Sequence, residues 1–228
     1  MNEKQLAAEY SVNFIEDGMI VGLGTGSTVA LMLKKLAERI NSGLNITAVS
    51  TSQATSKLAS SLGIKIIKLN DVDQIDLTID GADEVDESLN GIKGGGGALL
   101  HEKIIASNSN KNVWIVDSTK LVKTLGKFPL PVEVVKLGFT HLCSKLESNG
   151  YHPKIRMSGD KPFITDDNNY IIDLKMESIN NPALADSKLK SFPGIVETGL
   201  FYGIADTVVV GVGSKIKIFN KKKREQTK

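Results

Sequence analysis

The chain has 228 residues, of which 41% are hydrophobic, 24% charged and 5% aromatic. That is enough to bury a sizeable core and too balanced for wholesale disorder. The 28 basic and 26 acidic residues leave a net charge of +2, so no strong general attraction to nucleic acid or membrane is expected. In chain order, Asn2 can cap a helix, with Gln5 completing a capping-box pattern. Leu6, Tyr10, Phe14 and Ile15 follow near helical spacing until Gly18. A short apolar strand over 19–23 runs into Gly24-Thr25-Gly26-Ser27-Thr28, and an amphipathic helix over 29–40 ends at Asn41-Ser42-Gly43. Strands are expected over 46–49, 65–69, 75–79 and 113–116, with helices over 50–59 and 98–106.

This alternation predicts an α/β protein with a doubly wound, mostly parallel sheet core. After Gly126 the rhythm changes. Phe128-Pro129-Leu130-Pro131 reads as a rigid connector. A helix over 139–148, short strands over 154–157, 162–165 and 170–174, and a helix over 182–190 then make a small α+β unit. Strands over 195–201, 207–212 and 215–219 return to the first sheet, so the small unit is an inserted α+β domain. The expected division is a Rossmann-like domain of residues 1–127 and 200–228 and a small ferredoxin-like domain of residues 128–199.

Other features narrow the class. Met1–Ser11 lacks the apolar run of a secretory signal, and the longest apolar stretches fall far short of the ~20 residues of a membrane helix. A single cysteine, Cys143, cannot pair internally. A soluble cytoplasmic protein is expected. The segment from Lys215 to Lys228 carries a net +6 and the remainder −4. Lys221-Lys222-Lys223-Arg224 reads as a solvated terminus rather than a nucleic-acid patch. Phe139, Leu142, Cys143 and Leu146 share helical spacing, so Cys143 is expected in the core, with a nucleophile as the remote alternative. Trp114 reads as strand core. His101, His141 and His152 are scattered, with His101 expected at the surface. No metal-ligand spacing and no Gly-x-Ser-x-Gly elbow occurs.

Three segments carry chemistry. Gly24-Thr25-Gly26-Ser27-Thr28 joins a strand to a helix N-terminus, where glycines permit close approach and free N–H groups favour an anion. It matches neither a dinucleotide fingerprint nor a P-loop. Taken alone it reads equally as an anion cradle or a capped turn. Asp80-Gly81-Ala82-Asp83-Glu84-Val85-Asp86-Glu87 lacks calcium-loop spacing. Asp80 and Asp83 follow a parallel strand's carboxyl end, where open α/β sheets place ligands and carboxylates can bond sugar hydroxyls. Asp86 and Glu87 are left to solvent. Lys93-Gly94-Gly95-Gly96-Gly97 opens a helix bearing Glu102. Several backbone N–H groups can converge there on an anion or oxyanion, with Lys93 adding charge. Glu102 lies one turn into that helix, either an exposed helical side chain or part of the site.

In this order, these segments resemble the A-type ribose-5-phosphate isomerase family. Further matches are Asp117 to Lys120, Gly126-Lys127-Phe128-Pro129-Leu130-Pro131-Val132-Glu133, Pro193-Gly194-Ile195-Val196 and Gly199-Leu200-Phe201. The resemblance runs from Lys4 to about Val212. It implies interconversion of ribose 5-phosphate and ribulose 5-phosphate without metal or other cofactor. By position, Glu102 would move a proton between C1 and C2. Asp80, Asp83 and Lys93 would assist ring opening and stabilise the enediolate. Thr25, Gly26, Ser27, Thr28, Gly81, Ala82, Gly94, Gly95, Gly96 and Lys120 would line the substrate, and Lys4 would lie near the phosphate. His101 and Gly97 stand where relatives often carry other residues. The family implies a homodimer or tetramer. A sugar-phosphate sensor and an amino-sugar phosphate deaminase on a similar fold are the alternatives, separable by turnover and by ammonia release. A sensor's DNA-binding module is not expected in the roughly 18 residues before the first strand.

Overall fold

The computed structural model describes residues 2–222. The helices are α1 (Glu3–Ser11), α2 (Ser27–Asn41), α3 (Gln53–Ser61), α4 (Leu99–Ser107), α5 (Phe139–Ser148) and α6 (Pro182–Lys190). The first eight strands are β1 (Ile20–Leu23), β2 (Thr47–Ser50), β3 (Ile75–Asp80), β4 (Glu84–Val85), β5 (Gly91–Ile92), β6 (Ser109–Asp117), β7 (Leu130–Val134) and β8 (Pro153–Ile155). The remaining seven are β9 (Met157–Ser158), β10 (Lys161–Pro162), β11 (Tyr170–Leu174), β12 (Ile195–Thr198), β13 (Leu200–Phe201), β14 (Thr207–Val212) and β15 (Lys215–Asn220).

A six-stranded sheet in the order β15-β14-β6-β3-β1-β2 forms the larger layer. Its pairs are parallel except β14 with β15. Both faces are covered. Along β14, Val209 joins the core under α1 and α2, while Val208 and Val210 join the cluster of Trp114 and Phe201. This two-sided burial is why these strands read as apolar runs rather than alternating ones. β14 and β15 return to the first sheet, as the sequence predicts. A second, antiparallel sheet, β12-β7-β11-β8, draws its strands from 130–198 and carries α5 and α6. Its chain order is a split β-α-β-β-α-β. Leu142 and Leu146 are buried there, with Phe139 and Cys143 partly so. A small three-stranded sheet, β13-β5-β4, lies in the chain segments flanking the site.

Several expectations are corrected. Asn2 Oδ1 does accept from Gln5 N at 2.8 Å, but the Gln5 amide donates to Glu9 instead of closing a capping box. Residues 65–69 form only one bridge, Ile66 beside Ala48, before a 3₁₀ turn at Leu69–Asp71 leads the chain away. The expected connector is in part β7. Pro131 fits because its missing N–H falls where pairing with β12 has ended at Thr198, opposite Val132. The 162–165 strand shrinks to Lys161–Pro162 plus a bridge at Ile164. Residues 195–201 split into β12 and β13. A Cβ on Gly199 would meet Lys93 O at 2.3 Å, so the chain switches sheets at this glycine. Asp86 is not left to solvent: it accepts from Ser88 N, Asn90 N and the Asn90 amide and closes the β4–β5 turn. The basic tail from Lys223 onward lies outside the described residues.

Candidate active site

The larger sheet reverses its winding between β1 and β3, since β2 lies outside β1 while β6 and β14 extend the other way. Crevices form at the carboxyl ends of strands at such a point. A cavity of about 270 Å³ opens there, past the ends of β1, β3 and β6. Every expected site residue except Asp80 lines it. Thr25, Gly26, Ser27 and Thr28 come from the turn into α2, and Gly81, Ala82 and Asp83 from the turn after β3. Lys93, Gly94, Gly95 and Gly96 follow β5, Glu102 comes from α4, and Lys4 and Lys120 complete the set.

Asp80 sits behind the wall, 2% exposed. Its Oδ1 accepts from Thr25 N (3.0 Å) and Gly81 N (2.7 Å), and its Oδ2 lies 2.9 Å from Lys93 Nζ. It braces both loops from behind the cavity wall. Gly24 makes this possible, because a Cβ there would sit 2.0 Å from Asp80 Oδ1.

Lys93 is 3% exposed, and its Nζ donates to Gly81 O at 2.5 Å. Burial opposes its charge, but Asp80, Glu102 and Asp83 outweigh that and hold its pKa above the usual lysine value. Lys93 Nζ is 3.4 Å from Glu102 Oε2, an ion-pair distance without hydrogen-bond alignment. Glu102 is 3% exposed and its Oε2 has no hydrogen-bond partner. Burial pushes its carboxyl up to about 8, helped by Asp80 and Asp83 and opposed by Lys93. The result is a carboxyl at the cavity wall whose affinity for a proton is far above that of an exposed glutamate.

Asp83 Oδ2 accepts from Gly95 N at 2.7 Å. A side chain on Gly95 would strike that carboxylate at 2.6 Å. Gly94 and Gly97 have φ of +100° and +80°, and Gly97 N donates to Gly94 O, closing a tight turn ahead of α4. The four glycines are therefore a shaped wall, not a linker.

Lys4 and Lys120 make no ion pair among the described residues. One side chain fixes both: Glu3, beside Lys4, accepts from Ser118 N and Oγ at 3.0 and 2.6 Å and from Gly213 N at 2.7 Å. Ser118 begins the 3₁₀ turn that carries Lys120. Together with the N-terminus of α2, these lysines suit a dianion. Thr25 Oγ1 turns away into a hydroxyl cluster with Thr51, Ser52 and Thr55, at 2.7, 2.8 and 3.2 Å.

The wall also includes Ile115, Val116 and Asp117, which were not expected there. Asp117 ends β6 and caps the Lys120 turn by accepting from Thr119 N. The carboxyl-end rule that singled out Asp80 points to Asp117 once β6 is known to lie beside β3. His101 is half-buried rather than superficial, with Nε2 2.7 Å from Asp167 Oδ2. Among the described residues, no group of three His, Cys, Asp or Glu side chains could hold a metal ion, and no helix is long and apolar enough to cross a membrane.

Comparison with known proteins shows what the whole chain is similar to. Residues 47–215 match the family model for ribose 5-phosphate isomerase A (phosphoriboisomerase A). The chain is 52% identical to ribose-5-phosphate isomerase A of Limosilactobacillus reuteri over 219 residues, 95% of this chain and 96% of the relative. It is 50% identical to the enzyme of that name from Streptococcus thermophilus, over 94% of this chain and 96% of the relative. A solved D-ribose-5-phosphate isomerase in complex with phospho-erythronic acid superposes with a TM-score of 0.92 at 40% identity, covering 96% of this chain and all of that one. Ribose 5-phosphate isomerase from Plasmodium falciparum superposes equally well at 33% identity, covering 96% of this chain and 98% of that one.

Proposed function

The chain belongs to the ribose 5-phosphate isomerase A family, and we propose that it interconverts ribose 5-phosphate and ribulose 5-phosphate with Glu102 as the base. The observation that carries this is the Glu102 carboxyl itself. It is buried at the cavity wall, raised to about 8, and its Oε2 has no hydrogen-bond partner, only the Lys93 cation 3.4 Å away. A carboxylate of that basicity can take a proton from one carbon and return it to its neighbour.

Lys93 beside it, with the glycine N–H groups, supplies fixed positive potential for the enediolate oxygens. Asp80 keeps Lys93 in place, and Asp83 orders the glycine turn and faces the sugar. Asp83 and Lys93 also serve ring opening. Lys4, Lys120 and the start of α2 hold the phosphate, whose binding energy orients the distant reacting carbons. The complex of a relative with phospho-erythronic acid, a phosphorylated sugar acid, supports a phosphate subsite in the same fold.

The reading extends to a metal-independent, cytoplasmic homo-oligomer, a dimer or tetramer. Residues 1–127 and 200–228 would form its catalytic domain and residues 128–199 its small ferredoxin-like domain.

The test is turnover of ribose 5-phosphate by EDTA-treated protein, with Glu102→Gln in parallel. Wild-type turnover and a kcat at least ~10²-fold lower in the variant, with modest change in KM, are expected. Near-normal turnover by Glu102→Gln removes it from the base role. Binding without turnover by the wild type makes the protein a sensor. Activity lost with EDTA and restored by a metal overturns metal independence.

A further inference from the structure

The glycine turn is gripped from outside by a residue of the small sheet. Arg156 lies between β8 and β9, and its side chain is 15% exposed. Its Nη1 donates to Gly94 O at 2.7 Å and to Gly95 O at 3.2 Å. The rest of the guanidinium forks onto Asp173 of β11, with Nε donating to Oδ2 at 2.9 Å and Nη2 to Oδ1. Phe163, whose N–H donates to Arg156 O at 2.9 Å, lies against the same turn. A Cβ on Gly97 would fall 2.4 Å from its ring. One small hairpin thus contacts Gly94, Gly95 and Gly97.

In a trans peptide unit the C=O and N–H point in opposite directions. Holding the oxygens of Gly94 and Gly95 from outside therefore fixes where the next two N–H groups point. The Gly95 N–H meets Asp83. The Gly96 N–H has no acceptor among the described residues, and Gly96 is an exposed part of the cavity wall. A cation bonded to a peptide oxygen also polarises that unit and makes its N–H a stronger donor.

We propose that Arg156, held by Asp173, is a positioning residue for the isomerisation: it sets and polarises the Gly95–Gly96 peptide so that the Gly96 N–H donates to the enediolate. This rests on the reading that the glycine turn faces the reacting carbons.

The experiment measures kcat and KM for ribose 5-phosphate, and the folded fraction by circular dichroism, in Arg156→Ala, Arg156→Lys and Asp173→Asn. Removing an oxyanion donor outright lowers kcat by about 10²–10³-fold, and misaiming one lowers it less. Arg156→Ala is therefore expected to lose about 10–100-fold in kcat with KM changed less, and millimolar guanidinium is expected to restore part of that loss. Asp173→Asn and Arg156→Lys are expected to fall between it and the wild type.

Wild-type kcat in the folded fraction of Arg156→Ala overturns the proposal. So does a rise in KM at constant kcat. Should Arg156→Ala fail to fold, unchanged kcat in both Arg156→Lys and Asp173→Asn overturns it equally. Wild type and Glu102→Gln run alongside keep the two readings apart. An inactive wild type refutes the isomerase, whereas an active wild type with inactive Glu102→Gln and normal Arg156 variants refutes this inference alone.

Discussion

Glu102 and Glu84 are equally buried, each 3% exposed, yet they serve different ends. Glu84 accepts from Gly126 N at 2.7 Å and from Phe128 N at 2.6 Å, so both oxygens are engaged. It ties the three-stranded sheet to the chain that enters β7. Glu102 has a free oxygen, a cation 3.4 Å away and a cavity before it. Burial raises the cost of charge, and at Glu84 two backbone donors bond the carboxylate. At Glu102 the cost remains as basicity available to a substrate. The same contrast divides the acidic segment after β3: Asp80 and Asp83 organise the site, while Glu84 and Asp86 organise the backbone.

The largest way to break this contrast, after the loss of Glu102 itself, is Lys93→Met. It leaves Asp80 buried without its cation, and breaking a buried pair costs about 3–5 kcal/mol. It also removes the cation proposed to stabilise the enediolate. Both kcat and melting temperature are expected to fall steeply. A variant with wild-type kinetics for ribose 5-phosphate would show that Lys93 holds the fold and nothing more.

The pH dependence comes next. As the proposed base, Glu102 must lose its proton to act, and burial holds that proton up to about 8. The kcat/KM is expected to rise through a limb near 8. The raised pKa of Lys93 places its own loss of charge above the ordinary lysine range. Linkage gives a second sign. Between the unfolded value of 4.5 and about 8, the folded protein keeps a proton that the unfolded chain releases. Stability from this group therefore declines as pH rises through that window. Glu102→Gln, which has no such proton, is expected to gain in melting temperature relative to wild type over the same range. A rising limb near 4.5 would place Glu102 in water.

Glu84→Ala should do the reverse of Glu102→Gln. It leaves one buried and one partly buried N–H group unpaired, at up to about 1–3 kcal/mol each. A lowered melting temperature with kcat near wild type is expected, and a large kcat loss in the folded fraction would make the two glutamates alike.

What was legible in the sequence was local. Gly24–Thr28 and Lys93–Gly97 announce themselves because conformation, backbone approach and helix start lie within a few residues. Glu102 is one turn from such a loop. Asp80 was placed in the site but not behind it, because the direction of a side chain at a strand end is set by Gly24 and Lys93 on other elements. Arg156 was not legible. Its partners Gly94 and Gly95 lie in a turn some sixty residues earlier in the chain, and nothing in a lone arginine after a short strand points to them. The same holds for Pro131, which reads as a connector until its neighbours β11 and β12 are known.

The smallest expected effect sharpens the contrast most. Glu133, on β7, is 1% exposed, and its Oε2, like that of Glu102, has no hydrogen-bond partner. Its Oε1 accepts from Thr165 Oγ1 at 2.8 Å and from the Asn169 amide at 3.0 Å. Burial raises its pKa as well. The space beside it is about 10 Å³, room for one water at most, and among the described residues no lysine pairs with it. If an orphaned buried oxygen made a catalytic base, Glu133 would be one. Glu133→Gln keeps the shape and the accepting oxygen, so kcat is expected within about twofold of wild type. Because the folded protein holds this carboxyl's proton longer than the unfolded chain does, wild-type stability falls as pH rises past the ordinary carboxylate range. The melting temperature of Glu133→Gln minus that of wild type should accordingly increase with pH there. A tenfold loss of kcat would move Glu133 into the machinery. A difference flat in pH would mean that this carboxyl ionises as if exposed.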